Sequence, residues 1–135
     1  MRLIDSVLSF DHAGQSILCR ALPTAGCPFV RNGAIPGIVS LEYMAQTVAA
    51  YVTLRRVFQA PSAIVKPRVG YIISARNLSL RVAEFELDQP IVIRAKLTWS
   101  DNATASFDCS LERSDQLAAS TQLSVYEPPG ARGAA

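Results

Sequence analysis

The order of hydrophobic and polar residues predicts that the chain begins with two β-strands. Leu3 to Phe10 and Ser16 to Leu22 have the apolar and β-branched content of strands. The residues between them, Asp11-His12-Ala13-Gly14, are typical of a turn. From Pro23 to Pro36, proline, glycine and asparagine are spread through the chain, so we expect an irregular segment there.

One long stretch has the composition of a buried helix. Ile38 to Val57 contains no glycine or proline, and its apolar residues occur on nearly every side of the predicted helix. Arg55 and Arg56 suit its C-terminal end, where positive charges complement the helix dipole. Because a helix that is apolar all round is stable only when it is covered, we expect a sheet to wrap around it.

The second half of the chain supplies the strands for this wrapping. Four β-rich runs are separated by turn signals: Val69 to Arg81, Pro90 to Ser100, Thr104 to Arg113 and Leu117 to Tyr126. This order predicts an α+β hotdog fold, in which an antiparallel β-sheet wraps around one long central α-helix. An α+β sandwich with the helix on one open face fits the order nearly as well. We assign residues 1–127 to this single domain and residues 128–135 to a disordered C-terminal tail.

The composition excludes several classes of protein. A net charge of +2 is far from the concentrated positive charge of a nucleic-acid binder. Three cysteines and one histidine offer no zinc-ligand spacing, so we expect no metal and no cofactor. The N-terminus has no signal-peptide pattern, and polar residues such as Glu42 interrupt the longest apolar stretch. We therefore expect a cytoplasmic protein without a membrane or nucleic-acid partner.

The start of the predicted helix carries a motif that combines proline, glycine, glutamate and glutamine. It reads Ile35-Pro36-Gly37-Ile38-Val39-Ser40-Leu41-Glu42-Tyr43-Met44-Ala45-Gln46. This segment resembles the P-G-x-x-x-x-[ED]-x-x-x-Q signature of bacterial 3-hydroxyacyl-ACP dehydratases, which are hotdog proteins. Three further runs are similar to a branch of predicted dehydratases found with aryl-polyene pigment biosynthesis: Val69-Gly70-Tyr71-Ile72-Ile73-Ser74-Ala75-Arg76, Phe107-Asp108-Cys109 and Leu123-Ser124-Val125-Tyr126-Glu127-Pro128. The resemblance covers nearly the whole chain, from about Leu3 to Pro128.

The resemblance implies both an activity and a partner. Such enzymes remove water from a 3-hydroxyacyl thioester on an acyl carrier protein and give a trans-2-enoyl thioester. Hotdog active sites form between two chains, so the resemblance implies a homodimer, or a heterodimer with a paralogue that carries histidine. It also places Gly70, together with the Pro36-Gly37-Ile38 segment, among the substrate-binding residues.

The chemistry of the motif can also be argued from its residues. Pro36-Gly37 before a helix leaves the first backbone N–H groups free, and these amides can bind a thioester carbonyl as an oxyanion hole. Glu42 lies five residues after Gly37, so its carboxylate can reach that carbonyl. Gln46 is one turn further along the same face and can orient Glu42. We predict that Glu42 and Gln46 are catalytic, although polar stripes on helices usually only face solvent.

The chain departs from the dehydratase pattern at the general base. In the family that it resembles, a histidine nine residues before the motif glycine takes the α-proton. That position is Pro28 here, next to Cys27. The only histidine, His12, lies in the predicted turn between the first two strands, where we expect an exposed side chain. The dehydratase mechanism is therefore incomplete within this chain.

Three functions remain open at this point. The first is a dehydratase whose base comes from a partner subunit or from a residue that the sequence pattern does not identify. The second is a hotdog acyl thioesterase that uses Glu42 and the helix amides, and the third is a non-catalytic subunit that binds an acyl chain or a carrier protein. An acidic carrier protein would favour a patch of basic residues, for which the candidates are Arg31, Arg55, Arg56, Lys66, Arg68 and Arg76.

Overall fold

The computed structural model describes residues 2–60 and 71–126, which form one antiparallel sheet, a small two-stranded sheet and one long helix. The strands are β1 (Ser6–Asp11), β2 (Ser16–Ala21), β3 (Ala34–Pro36), β4 (Tyr71–Leu80), β5 (Glu84–Glu86), β6 (Ile91–Ser100), β7 (Thr104–Arg113) and β8 (Gln116–Tyr126). A short 3-10 helix over Gly37–Val39 leads into α1, Ser40–Gln59. Gly70 and the tail over residues 128–135 lie outside the described residues. Within the described part, no helix is long and apolar enough to cross a membrane.

The large sheet has the strand order β1-β2-β6-β7-β8-β4, and α1 packs against β2, β6 and β7. Alternation along the strands sends one set of side chains to the helix and the other to solvent. One row across the sheet shows the pattern, because Cys19, Ile93, Leu111 and Ala119 are paired in register and all buried. The predicted antiparallel sheet with one long helix is therefore confirmed.

The helix is covered on one side only. Seven of its residues are buried: Ser40, Tyr43, Met44, Thr47, Val48, Tyr51 and Val52. Glu42, Ala49 and Thr53, which recur at helical spacing, form an exposed stripe that we call the open face of α1. The sheet that wraps around the helix therefore covers one side of it, and the open face stays exposed in the single chain.

A small sheet holds the start of the helix, and the sequence did not indicate it. β3 pairs with β5, and its central pair, Ile35 and Phe85, is buried. The last three residues of the segment that was predicted to be irregular thus form a strand. Strands of three residues are too short to show an alternating pattern in the sequence.

β4 forms one edge of the large sheet, and among the described strands it pairs only with β8. It exposes four apolar side chains: Ile72, Ile73, Leu78 and Leu80. Ile73 is 57% exposed. An edge strand of this kind offers unpaired backbone groups together with apolar surface, which is the usual combination at a site of strand pairing between subunits.

Candidate active site

Glu42 and Gln46 are joined to each other and to the N-terminal segment by two hydrogen bonds. Glu42 lies in the first turn of α1, with its side chain exposed on the open face. Gln46 Nε2 donates to Glu42 Oε1 over 3.1 Å. The backbone N–H of Leu3 donates to Gln46 Oε1 over 2.7 Å. Gln46 therefore has the position expected of a residue that orients Glu42, and the catalytic roles of both residues stay predictions.

The Gly37 amide is not available to a substrate. Its N–H donates to the carbonyl oxygen of Ala83 over 2.8 Å. Our interpretation that it is free to form an oxyanion hole is therefore wrong, because β5 and the residues before it pack against the helix start. The next backbone N–H belongs to Ile38, which is an exposed residue. This N–H stays the candidate for binding a thioester carbonyl.

The requirement for glycine at position 37 comes from packing. A Cβ atom on Gly37 would lie 2.3 Å from the carbonyl oxygen of Val82, well inside van der Waals contact. Pro36, Gly37 and Ile38 form one wall of a cleft of about 510 Å³, and residues 80–83 form the other. The close approach of these two backbones thus sets the shape of the cleft beside the helix start.

Gly37→Ala is expected to lower the free energy of unfolding by about 1–3 kcal/mol, because a backbone segment must move to admit the methyl group. Gly26→Ala is a matched control, since a Cβ atom there would meet only Thr24 Oγ1, at 3.9 Å. Chemical denaturation of the two variants measures the difference. Equal stability of both variants would contradict the packing argument.

A groove of about 430 Å³ continues from Gln46 along the open face of α1. Ala49 and Ala50 form its floor, and Ile4 and Val7 from the N-terminal segment contribute to its wall. The structure places the groove at the two alanines, and Thr53 is exposed one turn beyond Ala49.

His12 is remote from Glu42. It occupies the turn after β1, as predicted, but it is partly buried rather than exposed, and its ring stacks on Phe58 with the centroids 4.1 Å apart. Phe58 lies sixteen residues after Glu42 in α1. At about 1.5 Å per residue this is about 24 Å of helix. His12 therefore cannot exchange a proton with a substrate bound at Glu42 of the same chain.

The loop at the position of the missing base lies near the first turn of α1. Burial, followed by the nearby charges of Cys27 and Asp5, raises the pKa of Tyr43 to about 12. Pro28, at the position where the dehydratase pattern has histidine, is exposed, and its carbonyl accepts a hydrogen bond from Arg31 Nη1. Tyr43 thus stays protonated at neutral pH, and the neighbouring loop provides no histidine.

Besides Cys27, the chain has two further thiols, Cys19 and Cys109, and both are poor candidates for the general base. Burial raises the pKa of Cys19, and burial followed by the charge of Asp108 raises the pKa of Cys109 to about 12. Within the part of the chain that the structure describes, no three His, Cys, Asp or Glu side chains are close enough together to hold a metal ion. The described residues therefore offer the carboxyl group of Glu42 as a candidate acid, but these thiols are poorly suited to act as the base.

The basic residues that the structure describes do not form one patch. Arg31 precedes the helix, and Arg55 and Arg56 lie near its other end. Arg55 places its guanidinium over the ring of Tyr51, with 5.6 Å between the guanidinium carbon and the ring centroid. Lys66 and Arg68 lie outside the described residues. A carrier-protein patch that needs Arg31 and Arg55 on one surface is therefore not supported.

Comparison with solved structures confirms the hotdog fold. The dehydratase heterocomplex ApeI:P from Xenorhabdus doucetiae matches with a TM-score of 0.83 and 19% identity, over 94% of this chain and 83% of that one. A putative thioesterase from Ralstonia eutropha matches with a TM-score of 0.67 and 15% identity, over 90% and 83%. The PaaI protein of Escherichia coli matches with a TM-score of 0.65 and 10% identity, over 92% and 78%. At these identities the likeness establishes the fold alone.

The family is established by the sequence. No curated protein matches the chain closely. The family model described as ApeP dehydratase, ApeP-like, matches residues 1–134. This match agrees with the resemblance drawn from the helix motif and covers the described sheet and helix. The chain therefore belongs to the ApeP-like family of dehydratases.

Proposed function

We propose that this chain is one subunit of a two-chain dehydratase that acts on 3-hydroxyacyl thioesters of an acyl carrier protein. In this complex Glu42 is the acid, and a hotdog paralogue supplies the histidine base. The observation that carries the proposal is the pairing of Gln46 with an exposed Glu42 on the open face of α1, while the chain's one histidine is about 24 Å of helix away.

The proposed reaction needs one acid and one base. The partner's histidine removes the α-proton of the 3-hydroxyacyl group, and the electron pair of that C–H bond forms the new double bond. The β-carbon–oxygen bond breaks, and Glu42 protonates the departing hydroxyl so that it leaves as water. The products are a trans-2-enoyl thioester and water.

A partner also gives Glu42 a suitable environment. In the single chain the carboxyl group is exposed to solvent. A subunit that covers the open face of α1 excludes bulk water from the carboxyl and encloses it together with the substrate.

The edge strand β4 supplies a plausible contact surface for this partner. Ile72 and Ile73 are 50% and 57% exposed and lie at a register shift near the start of the strand. The complex formed by the solved dehydratase from Xenorhabdus doucetiae agrees with a heterodimer.

The experiment that tests the activity identifies the product. The chain is mixed with a histidine-bearing hotdog paralogue from the same organism and a 3-hydroxyacyl carrier protein, and the acyl group is followed by mass. The loss of one water supports the proposal. An intact substrate would favour a non-catalytic subunit and would contradict the proposal.

A thioesterase is the second candidate, because several of the matching folds are described as thioesterases. An exposed Glu42 has access to the water that hydrolysis requires. The occupied Gly37 amide argues against it, since the oxyanion hole then has one donor fewer. Release of a free 3-hydroxy acid in the same experiment would favour this reading. The proposal also includes a cytoplasmic location and a role in aryl-polyene-type biosynthesis, of which the role is drawn from the family resemblance.

A further inference from the structure

The N-terminal segment before β1 is fixed against both the sheet and the helix. Leu3 and Ile4 are buried in the core. The N–H of Asp5 donates to the carbonyl of Arg20 over 3.0 Å, and the Asp5 carboxylate accepts a hydrogen bond from the N–H of Leu22. These contacts hold the Leu3 N–H 2.7 Å from Gln46 Oε1. A backbone group 43 residues away in the sequence thus contacts the helix at Gln46.

The Leu3 N–H determines which end of the Gln46 amide faces Glu42. The oxygen of a side-chain amide only accepts hydrogen bonds, and its nitrogen only donates them. With Oε1 held by Leu3, Nε2 points to Glu42 Oε1 at 3.1 Å. The flipped amide would place Nε2 against the Leu3 N–H and Oε1 against the carboxyl oxygen of Glu42. Only the observed orientation satisfies both contacts.

We propose that the backbone N–H of Leu3 acts through Gln46 as a positioning group for Glu42, and that it selects the oxygen of Glu42 that carries the catalytic proton. This inference rests on the proposed role of Glu42 as the acid. Because Gln46 Nε2 is a donor, the oxygen that it contacts, Oε1, must remain an acceptor. The proton of the neutral acid therefore resides on Oε2. An exposed glutamate without this contact would sample several rotamers and would carry its proton on either oxygen.

The test removes the Leu3 N–H and leaves every side chain in place. A synthetic peptide of residues 1–18 with a backbone ester in place of the amide N–H at Leu3 is ligated to a recombinant fragment that begins at Cys19. A second protein carries the ester at Gln15, whose N–H donates to the carbonyl of His12 in the turn between β1 and β2. Both proteins are assembled with the histidine-bearing partner, and steady-state dehydration is measured.

We expect the Leu3 ester to lower kcat by roughly three- to tenfold, the size that corresponds to the loss of one hydrogen bond. KM is expected to stay unchanged, because the carrier-protein contacts are intact. The Gln15 ester should leave kcat at its normal value. In a Gln46→Met background, where the contact with Glu42 is already lost, the Leu3 ester should have no further effect. Equal losses in the two esters, or a loss that persists with Gln46→Met, would overturn the inference.

A spectroscopic signature separates this inference from the proposed activity. The side-chain NH₂ resonances of Gln46 in the ¹⁵N-labelled protein are expected to shift in Glu42→Ala and in the Leu3 ester, and to stay in place in the Gln15 ester. Shifts of this kind in a complex without dehydratase activity would mean that the contact exists and that the proposed function fails. Unchanged Gln46 resonances in an active complex would contradict the positioning role alone.

Discussion

Glu42→Gln is expected to lower kcat for dehydration by about 10²–10⁴-fold in the assembled complex, because glutamine cannot protonate the departing hydroxyl. The fold should not change, since the side chain is exposed and its contact is with Gln46. The variant should therefore melt within about 1 °C of the wild type, as surface substitutions usually do. The measurement is the mass of the acyl group over time at saturating substrate.

The control for this loss is Glu112→Gln, which removes an exposed carboxylate from the outer face of β7. The complex with Glu112→Gln should dehydrate the substrate at the wild-type rate. A Glu42→Gln complex that dehydrates at the wild-type rate would show that the acid belongs to another residue or to the partner.

Ile73→Lys on β4 is expected to weaken association with the partner subunit by about 10²–10³-fold. The side chain is 57% exposed in the single chain, so the substitution costs the free chain little. In a complex, the loss of a buried isoleucine costs about 1.5–3 kcal/mol, and the desolvation of an unpaired ammonium group adds to it. Together these costs correspond to at least two orders of magnitude in Kd.

The matched control is Leu8→Lys, an equally exposed aliphatic residue on β1 at the opposite edge of the sheet. Both variants are titrated with the partner by calorimetry or sedimentation. The affinity of the Leu8→Lys variant for the partner should equal that of the wild type. Weak binding by Leu8→Lys together with normal binding by Ile73→Lys would place the interface on β1 and contradict the assignment to β4.

Much of this fold could be predicted from the sequence because its long elements have clear patterns. The long, largely apolar run without glycine or proline predicted α1, and the β-rich run from Pro90 to Ser100 predicted β6. The contact between Glu42 and Gln46 follows from their spacing of four residues on one helix.

The remainder depends on contacts between residues that are distant in the sequence. The Gly37 amide is occupied because Ala83 of a later segment lies beside it, and no local pattern indicates this. The contact between Leu3 and Gln46 is of the same kind. His12 is partly buried because Phe58, from the end of α1, stacks on its ring. The open face of α1 follows from the extent of the sheet, which a count of strands does not give.

The claim that two chains share one active site is tested most directly by comparing three samples at equal total protein concentration. These are the chain alone, the histidine-bearing partner alone and the equimolar mixture, each with the same 3-hydroxyacyl carrier protein. The account predicts that water is lost at a substantial rate only in the mixture, because one chain supplies Glu42 and the other the base. Full activity of either chain by itself would contradict it.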